Sequence, residues 1–169
     1  MTGLVVGRYQ PFHEGHLFSV KEALAECERL IIVIGSAQYS HTRENPFTAG
    51  ERYQMITCAL EEEGLSERVH IIPVMDINRY AVWVSHLRSQ VPPFDTIFTN
   101  NPLTSRLFSE AGLIVKQGKM LRREELSGSR IRELMISGGE WRKLVPPAVE
   151  RTIEGFDGVR RVRELFSLF

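Results

Sequence analysis

The chain has 169 residues, 43% of them apolar and 25% charged, which suits one globular domain around a single continuous core. Lys and Arg together number 21, as do Asp and Glu, so the formal net charge is zero, and bulk electrostatic attraction to nucleic acid or to an anionic membrane is excluded. The longest apolar run, Leu30 to Ile34, is far too short to span a bilayer, and the apolar start meets Arg8 too early for a secretory leader; the expectation is a cytoplasmic protein.

Strand-like and helix-like segments alternate along the chain. Leu4 to Val6 reads as a first strand, and His16 to Glu28 as a helix with Leu17, Val20, Leu24 and Cys27 on one face. Leu30 to Ile34 is continuously apolar, as expected of a strand covered on both sides. A polar loop, Ser36 to Pro46, follows. Thr48 and Glu51 form a capping-box signature that opens a helix running to about Glu63. Val69 to Val74 is a third strand, Ala81 to Val91 a helix stopped by Pro92 and Pro93, and Thr96 to Phe98 a short strand. Pro102 to Ala111 is a helix with proline at its start and Gly112 at its end, and Leu113 to Val115 is a fifth strand.

The remainder is helical: Ser127 to Ser137, Pro147 to Phe156 and Val159 to Leu168. Neither a repeat nor a linker divides the chain. The pattern predicts an α/β fold, a Rossmann-like doubly wound parallel sheet of about five strands with a C-terminal helical tail. We expect a single domain, 1–169, with the sheet in 1–125 and a phosphate-binding helix and tail in 126–169. Cys27 and Cys58 lack a CxxC pairing and read as small buried hydrophobes rather than as a disulfide or a metal site.

The most informative segment is Gly7-Arg8-Tyr9-Gln10-Pro11-Phe12-His13-Glu14-Gly15-His16, which leads from the first strand into the first helix. Unpaired N–H groups and the positive dipole end of a helix favour phosphate there, and two imidazoles and a guanidinium add side-chain donors. Far downstream, Ser127-Gly128-Ser129-Arg130-Ile131-Arg132 again opens a helix, with a serine cap and Arg132 near that end. There is no GxxxxGK[ST] loop and no GxGxxG after a strand, which disfavours a P-loop kinase and a dinucleotide-bound dehydrogenase.

These two segments resemble those of the HxGH nucleotidyltransferase superfamily. With Gly35 to Gln38, Asn45 to Arg52, Pro92 to Asp95, Asn101 to Leu103, Trp83 and Val145-Pro146, the chain is similar over nearly its whole length to the archaeal-type nicotinamide-nucleotide (NMN) adenylyltransferases. The resemblance implies transfer of the adenylyl group of ATP to nicotinamide mononucleotide, giving NAD and pyrophosphate, with Mg2+ or another divalent metal bound mainly through the ATP phosphates and no metal ligands from the protein. It implies a homo-oligomer, often a hexamer among relatives, and no nucleic-acid or membrane partner.

By the same resemblance His13, His16, Arg8 and Arg132 are the catalytic residues. Gly7, Phe12, Ser127, Gly128 and Ser129 join them in binding ATP, and Trp83, Asp76, Tyr80, Asn101 and Arg43 serve the nicotinamide nucleotide. The family carries an asparagine near the position of Tyr80; the nearest here is Asn78. Arg43 is equally readable as a solvated loop arginine. Arg52 reads as a structural ion-pair partner, and His86 as a helix-surface residue. Another HxGH transferase, acting on phosphopantetheine, FMN or a CTP-activated alcohol phosphate, shares the first motif and remains an alternative, as does a non-catalytic nucleotide-binding module.

Overall fold

The structure, a computed structural model, describes residues 1–122 and 124–168. Its order is β1 (Thr2–Gly7), α1 (Glu14–Glu26), β2 (Arg29–Ile34), α2 (Ala49–Glu62), β3 (Val69–Pro73), α3 (Tyr80–Gln90), β4 (Thr96–Phe98), α4 (Pro102–Glu110), β5 (Ile114–Lys116), α5 (Gly128–Ser137), α6 (Pro147–Gly155) and α7 (Gly158–Leu168). All strand pairs are parallel and the sheet order is β3-β2-β1-β4-β5. The chain therefore starts in the middle, runs to one edge, and crosses back to build the other half. The order reverses between β1 and β4, where a parallel sheet opens a crevice at its strand C-termini.

Alternation along β2 divides the core. Leu30, Ile32 and Ile34 face one layer, with Leu17 and Val20 of α1, Met55 and Ile56 of α2, Ile131 of α5 and Ile153 of α6. Ile31 and Val33 face the other, with Val84 and Leu87 of α3 and Phe108 of α4. Since all five residues from Leu30 to Ile34 are fully buried, the apolar run seen in sequence is a central strand covered on both faces.

The element boundaries differ from expectation by at most two residues, with one instructive case. Helix α1 starts at Glu14 rather than His16, because the side chain of His13 serves as its N-cap. Two 3-10 turns, Ser66–Arg68 and Trp141–Leu144, carry no sequence signal of their own. Cys27 is buried, Cys58 is half-buried, and both are free thiols. Among the described residues no helix is long and apolar enough to cross a membrane.

Candidate active site

Strand β1 ends at Gly7, where an added Cβ would lie 2.7 Å from the Tyr9 ring, so only glycine lets the chain fold back this tightly. Tyr9 takes a left-handed backbone, φ 54°, and the Gln10–Pro11 peptide is cis. The turn delivers two histidines to the start of α1 in a reciprocal cap. His13 Nδ1 accepts the N–H groups of Gly15 (3.1 Å) and His16 (3.3 Å), and His16 Nδ1 accepts the N–H of His13 (3.2 Å). The rings stack with centroids 3.6 Å apart at 20°. Phe12, fully buried, stacks behind His16 at 5.5 Å, and Tyr9 meets it edge-on at 4.7 Å.

This cap changes the expected chemistry. The sequence suggested free amides at the start of α1; three of them are already taken by imidazoles. What remains is the second nitrogen of each ring. An accepting Nδ1 places the ring proton on Nε2, so both histidines are N–H donors there. Burial pushes the His13 pKa down to about 4, and burial, with the neighbouring His13, holds His16 well below the usual value. Both are neutral donors at pH 7.

Helix α5 brings the second segment to the same place. Ser127 Oγ accepts the Arg130 N–H at 3.1 Å, and the amides of Gly128 and Ser129 lie in the first turn, where no intrahelical acceptor exists. Arg132 Nη1 donates to the carbonyl of Gln10 at 2.8 Å, joining residues 122 positions apart in the chain. A Cβ on Gly128 would come within 2.9 Å of that Nη1 and 3.1 Å of Gln10 O, so the close crossing requires glycine. Burial, followed by the charge on Arg8, lowers the Arg132 pKa. Two guanidinium groups that feel each other at the mouth of a helix make a favourable site for an anion.

Beside this junction, at the β1/β4 reversal, lies a cleft of about 510 Å³ whose walls include Tyr9, His16, Phe98, Asn101, Gln117 and Met120. Its size suits a nucleoside. Asn101 caps α4 through Oδ1, which accepts the Thr104 N–H at 3.0 Å, and it lines this cleft together with His16. Asp76, Tyr80 and Trp83 lie instead beyond the end of β3. Asp76 Oδ1 accepts the Asn78 N–H (2.8 Å), and both main-chain groups of Asp76 pair with the Gln38 amide (2.6 and 2.9 Å). Trp83 is half-buried, edge-on to Phe108 at 5.8 Å, and Tyr80 is 65% exposed.

The structure shows where three of these side chains go. Arg43 is exposed, as a solvated loop arginine would be, but it is not loose: Nη2 donates to Phe166 O at 2.7 Å and the guanidinium sits 4.7 Å from the Phe166 ring centroid, docked on α7. It shares a pocket of about 260 Å³ with Ser129 and Arg132. Arg52 forms no ion pair among the described residues; it is fully buried and spends its donors on main-chain carbonyls. The carboxylate beside it, Glu51, pairs with Arg161 of α7 at 2.6 and 2.9 Å. His86 is partly exposed on its helix, as expected, and is tied by Nε2 to Met75 O at 2.9 Å.

Sequence reasoning gave Gln10 no role and Arg52 only an ion pair, yet both shape the site. Gln10, 3% exposed, makes a double bond pair with Phe47, donating to its carbonyl and accepting its N–H, both at 2.9 Å. Arg52 sits on the buried stripe of α2 with Met55, Ile56 and Ala59, and an arginine in that register was the available signal.

A parallel sheet whose reversal point carries a histidine-capped helix and a converging arginine helix defines a nucleotidyltransferase, and the cytidylyltransferase-like family model matches residues 4–134. A nicotinamide-nucleotide adenylyltransferase from Picrophilus torridus is 51% identical over 98% of this chain and 97% of its own, and one from Archaeoglobus fulgidus is 49% identical over 98% and 97%. The chain belongs to the nicotinamide-nucleotide adenylyltransferase family. A crystal structure of a bifunctional NMN adenylyltransferase/ADP-ribose pyrophosphatase from Francisella tularensis, complexed with AMP and an Mn ion, has the same fold, with a TM-score of 0.82 at 23% identity. It aligns with 96% of this chain, which spans about half (52%) of that longer protein.

Proposed function

We propose that the chain transfers the adenylyl group of ATP to nicotinamide mononucleotide, forming NAD and pyrophosphate. The observation that carries this reading is the Arg132–Gln10 hydrogen bond, which brings the two phosphate-binding segments into one site. In the reaction a phosphate oxygen of the mononucleotide attacks the α-phosphorus, the bond to the bridging oxygen breaks, and pyrophosphate leaves with its electrons. The attacking phosphate has a second pKa of about 6 and is already anionic at neutral pH, so the step needs no general base. The site accordingly consists of donors: Nε2–H of His13 and His16, the guanidinium groups of Arg8 and Arg132, and the amides of Gly128 and Ser129.

These donors act by alignment and by stabilising charge as it moves toward the leaving group. Neutral imidazoles suit the α-phosphate, where they bond the oxygens without holding the product by full charge. The arginines suit the β- and γ-phosphates. Phe12 contributes by backing the His16 ring, since its own side chain is sealed in the core. Trp83, Asp76 and Tyr80 serve the nicotinamide nucleotide in this reading, and Asn101 stands at the cleft with His16. Arg43 reaches the phosphates only by leaving Phe166.

Among the described residues no group of three His, Cys, Asp or Glu could hold a metal ion. A site made of hydrogen-bond donors fits a divalent ion carried by the triphosphate itself, and we assign that place to Mg2+, which when bound would offset charge on the pyrophosphate. The reading extends to a cytoplasmic homo-oligomer, a hexamer by analogy with the archaeal type. The test incubates the protein with ATP, Mg2+ and, in turn, nicotinamide mononucleotide, nicotinate mononucleotide and phosphopantetheine. NAD appearing in step with pyrophosphate is the expected result. Phosphopantetheine consumed without any dinucleotide product would overturn the reading.

A further inference from the structure

Arg52 presents a fully buried guanidinium with every donor occupied. Nε donates to Thr48 O (3.2 Å), Nη1 to Arg8 O and Gly35 O (2.9 Å each), and Nη2 to Ser36 O and Tyr39 O (3.3 Å each). A guanidinium carries five N–H groups, so none is left for a carboxylate or a ligand. Burial pulls its pKa down only to about 10, and it remains charged at neutral pH. A buried charge is costly unless its hydrogen bonds are complete. An apolar residue in this register would fill the stripe but leave these carbonyls without their donor, so the arginine is explained by the backbone it holds.

The five carbonyls belong to three separate pieces of the site. Arg8 O lies at the end of β1, in the segment that leads to His13 and His16. Gly35, Ser36 and Tyr39 form the loop after β2, which Gln38 ties to Asp76 and Tyr39 ties to Asn78 (3.2 Å) on the mononucleotide side. Thr48 caps α2, which supplies Arg52 itself. Two of the held carbonyls adjoin non-glycine residues in left-handed backbone: Ser36, φ 49°, is one of the acceptors, and Tyr9, φ 54°, directly follows Arg8. Such conformations persist only where surrounding contacts over-determine them.

We infer that Arg52 is a positioning residue of the reaction, the single guanidinium that fixes the phosphate half-site against the mononucleotide half-site by gripping both backbones. This rests on the adenylyltransferase reading above. In-line attack depends on the distance and angle between the two substrates, so loosening the hub lowers turnover even when both substrates still bind. A lysine keeps the charge but has three donors on a flexible stem, and cannot span five carbonyls.

The test compares Arg52→Lys with Met55→Ala, a cavity substitution one turn along the same helix, both assayed where circular dichroism shows them folded. Met55 is fully buried and is none of the proposed ligand residues, so it reports what destabilising α2 alone does. Arg52→Lys is expected to lose about 10²-fold in kcat with saturating ATP and nicotinamide mononucleotide. A deficit of more than about tenfold relative to Met55→Ala supports the inference; a smaller one overturns it. Should either variant fail to fold, hydrogen exchange on the wild-type protein decides. Nicotinamide mononucleotide alone should slow exchange in residues 8–12 as well as 35–40, and protection confined to 35–40 would overturn the hub. An inactive wild type refutes the adenylyltransferase reading, whereas an active wild type with an equally active Arg52→Lys refutes only this inference.

Discussion

Helices α1 and α2 begin with the same device. In each, the residue at the cap accepts N–H bonds from the first turn while the residue three further on reaches back to the cap's own amide. In α2 the pair is Thr48 and Glu51, and the carboxylate is then consumed by a bidentate bond to Arg161. In α1 the pair is His13 and His16, and each ring keeps one donor unspent. Identical backbone geometry thus closes one helix end and arms the other. A hydroxyl and a carboxylate finish their work in the cap, while an imidazole has a second nitrogen on its far side.

The sharpest way to break this comparison is to keep the α1 cap and remove the spare nitrogen. Asparagine is among the best N-caps, so His13→Asn should preserve the helix start. Under the proposed function it should still lose ~10²–10³ in kcat/KM, as should His16→Ala, because each removes a donor aimed at developing charge. The measurement pairs thermal unfolding with NAD formation. If His13→Asn keeps more than half of wild-type activity, the histidine is only a cap and the contrast with α2 collapses.

Acid offers a second probe, working on stability rather than rate. The fold holds His13 neutral with its pKa near 4 against 6.5 in the unfolded chain, with burial as the cause. As pH falls below about 6.5 the unfolded chain takes up a proton that the folded one refuses, so stability is intact above that point and drains away toward pH 4. The slope is at most ~1.4 kcal/mol per pH unit for this group, or ~3 kcal/mol across the window. His16, shifted the same way, adds to the loss. Unfolding midpoints between pH 7.5 and 4.5 should fall less steeply for His13→Asn than for wild type. Parallel curves would mean that His13 titrates normally, and that its ring is not buried against His16 as described.

The same contrast marks how far the sequence could be read. The apolar run of β2, the Thr48/Glu51 cap, and the glycine closing α4 are local signals, and each led to the right element. The convergence of Gly7–His16 with Ser127–Arg132 was legible only through resemblance, since no local pattern links Arg132 to Gln10. Side-chain destinations were the least accessible. Arg43 is exposed, but nothing in its loop points to Phe166, which lies 123 positions away. Arg52 reads from sequence as an ion-pair partner on a capped helix; its true partners are carbonyls that come together only after β1, β2 and α2 have packed. The amides of α1 were thought free because the usual capping residues were absent from its start, and histidine is seldom read as a cap.

The smallest expected effect comes from the α2 side, and it is the one that tests whether a cap can be a cap alone. Thr48→Ala removes the oxygen that accepts the Glu51 N–H at 3.1 Å. Loss of such a cap costs ~1 kcal/mol. For a chain of this size that lowers the unfolding midpoint by roughly 2–4 °C. Glu51 remains clamped by Arg161, so the returning half of the box survives and the cost should sit at the low end. The substitution leaves the Thr48 carbonyl in place, and with it the bond from Arg52 Nε. Turnover per folded molecule should therefore stay within about twofold of wild type, a size of change that removing a solely structural interaction permits. A tenfold loss with a normal midpoint would show instead that the hydroxyl steers Arg52, and α2 would then join α1 as a working part of the site rather than its structural counterpart.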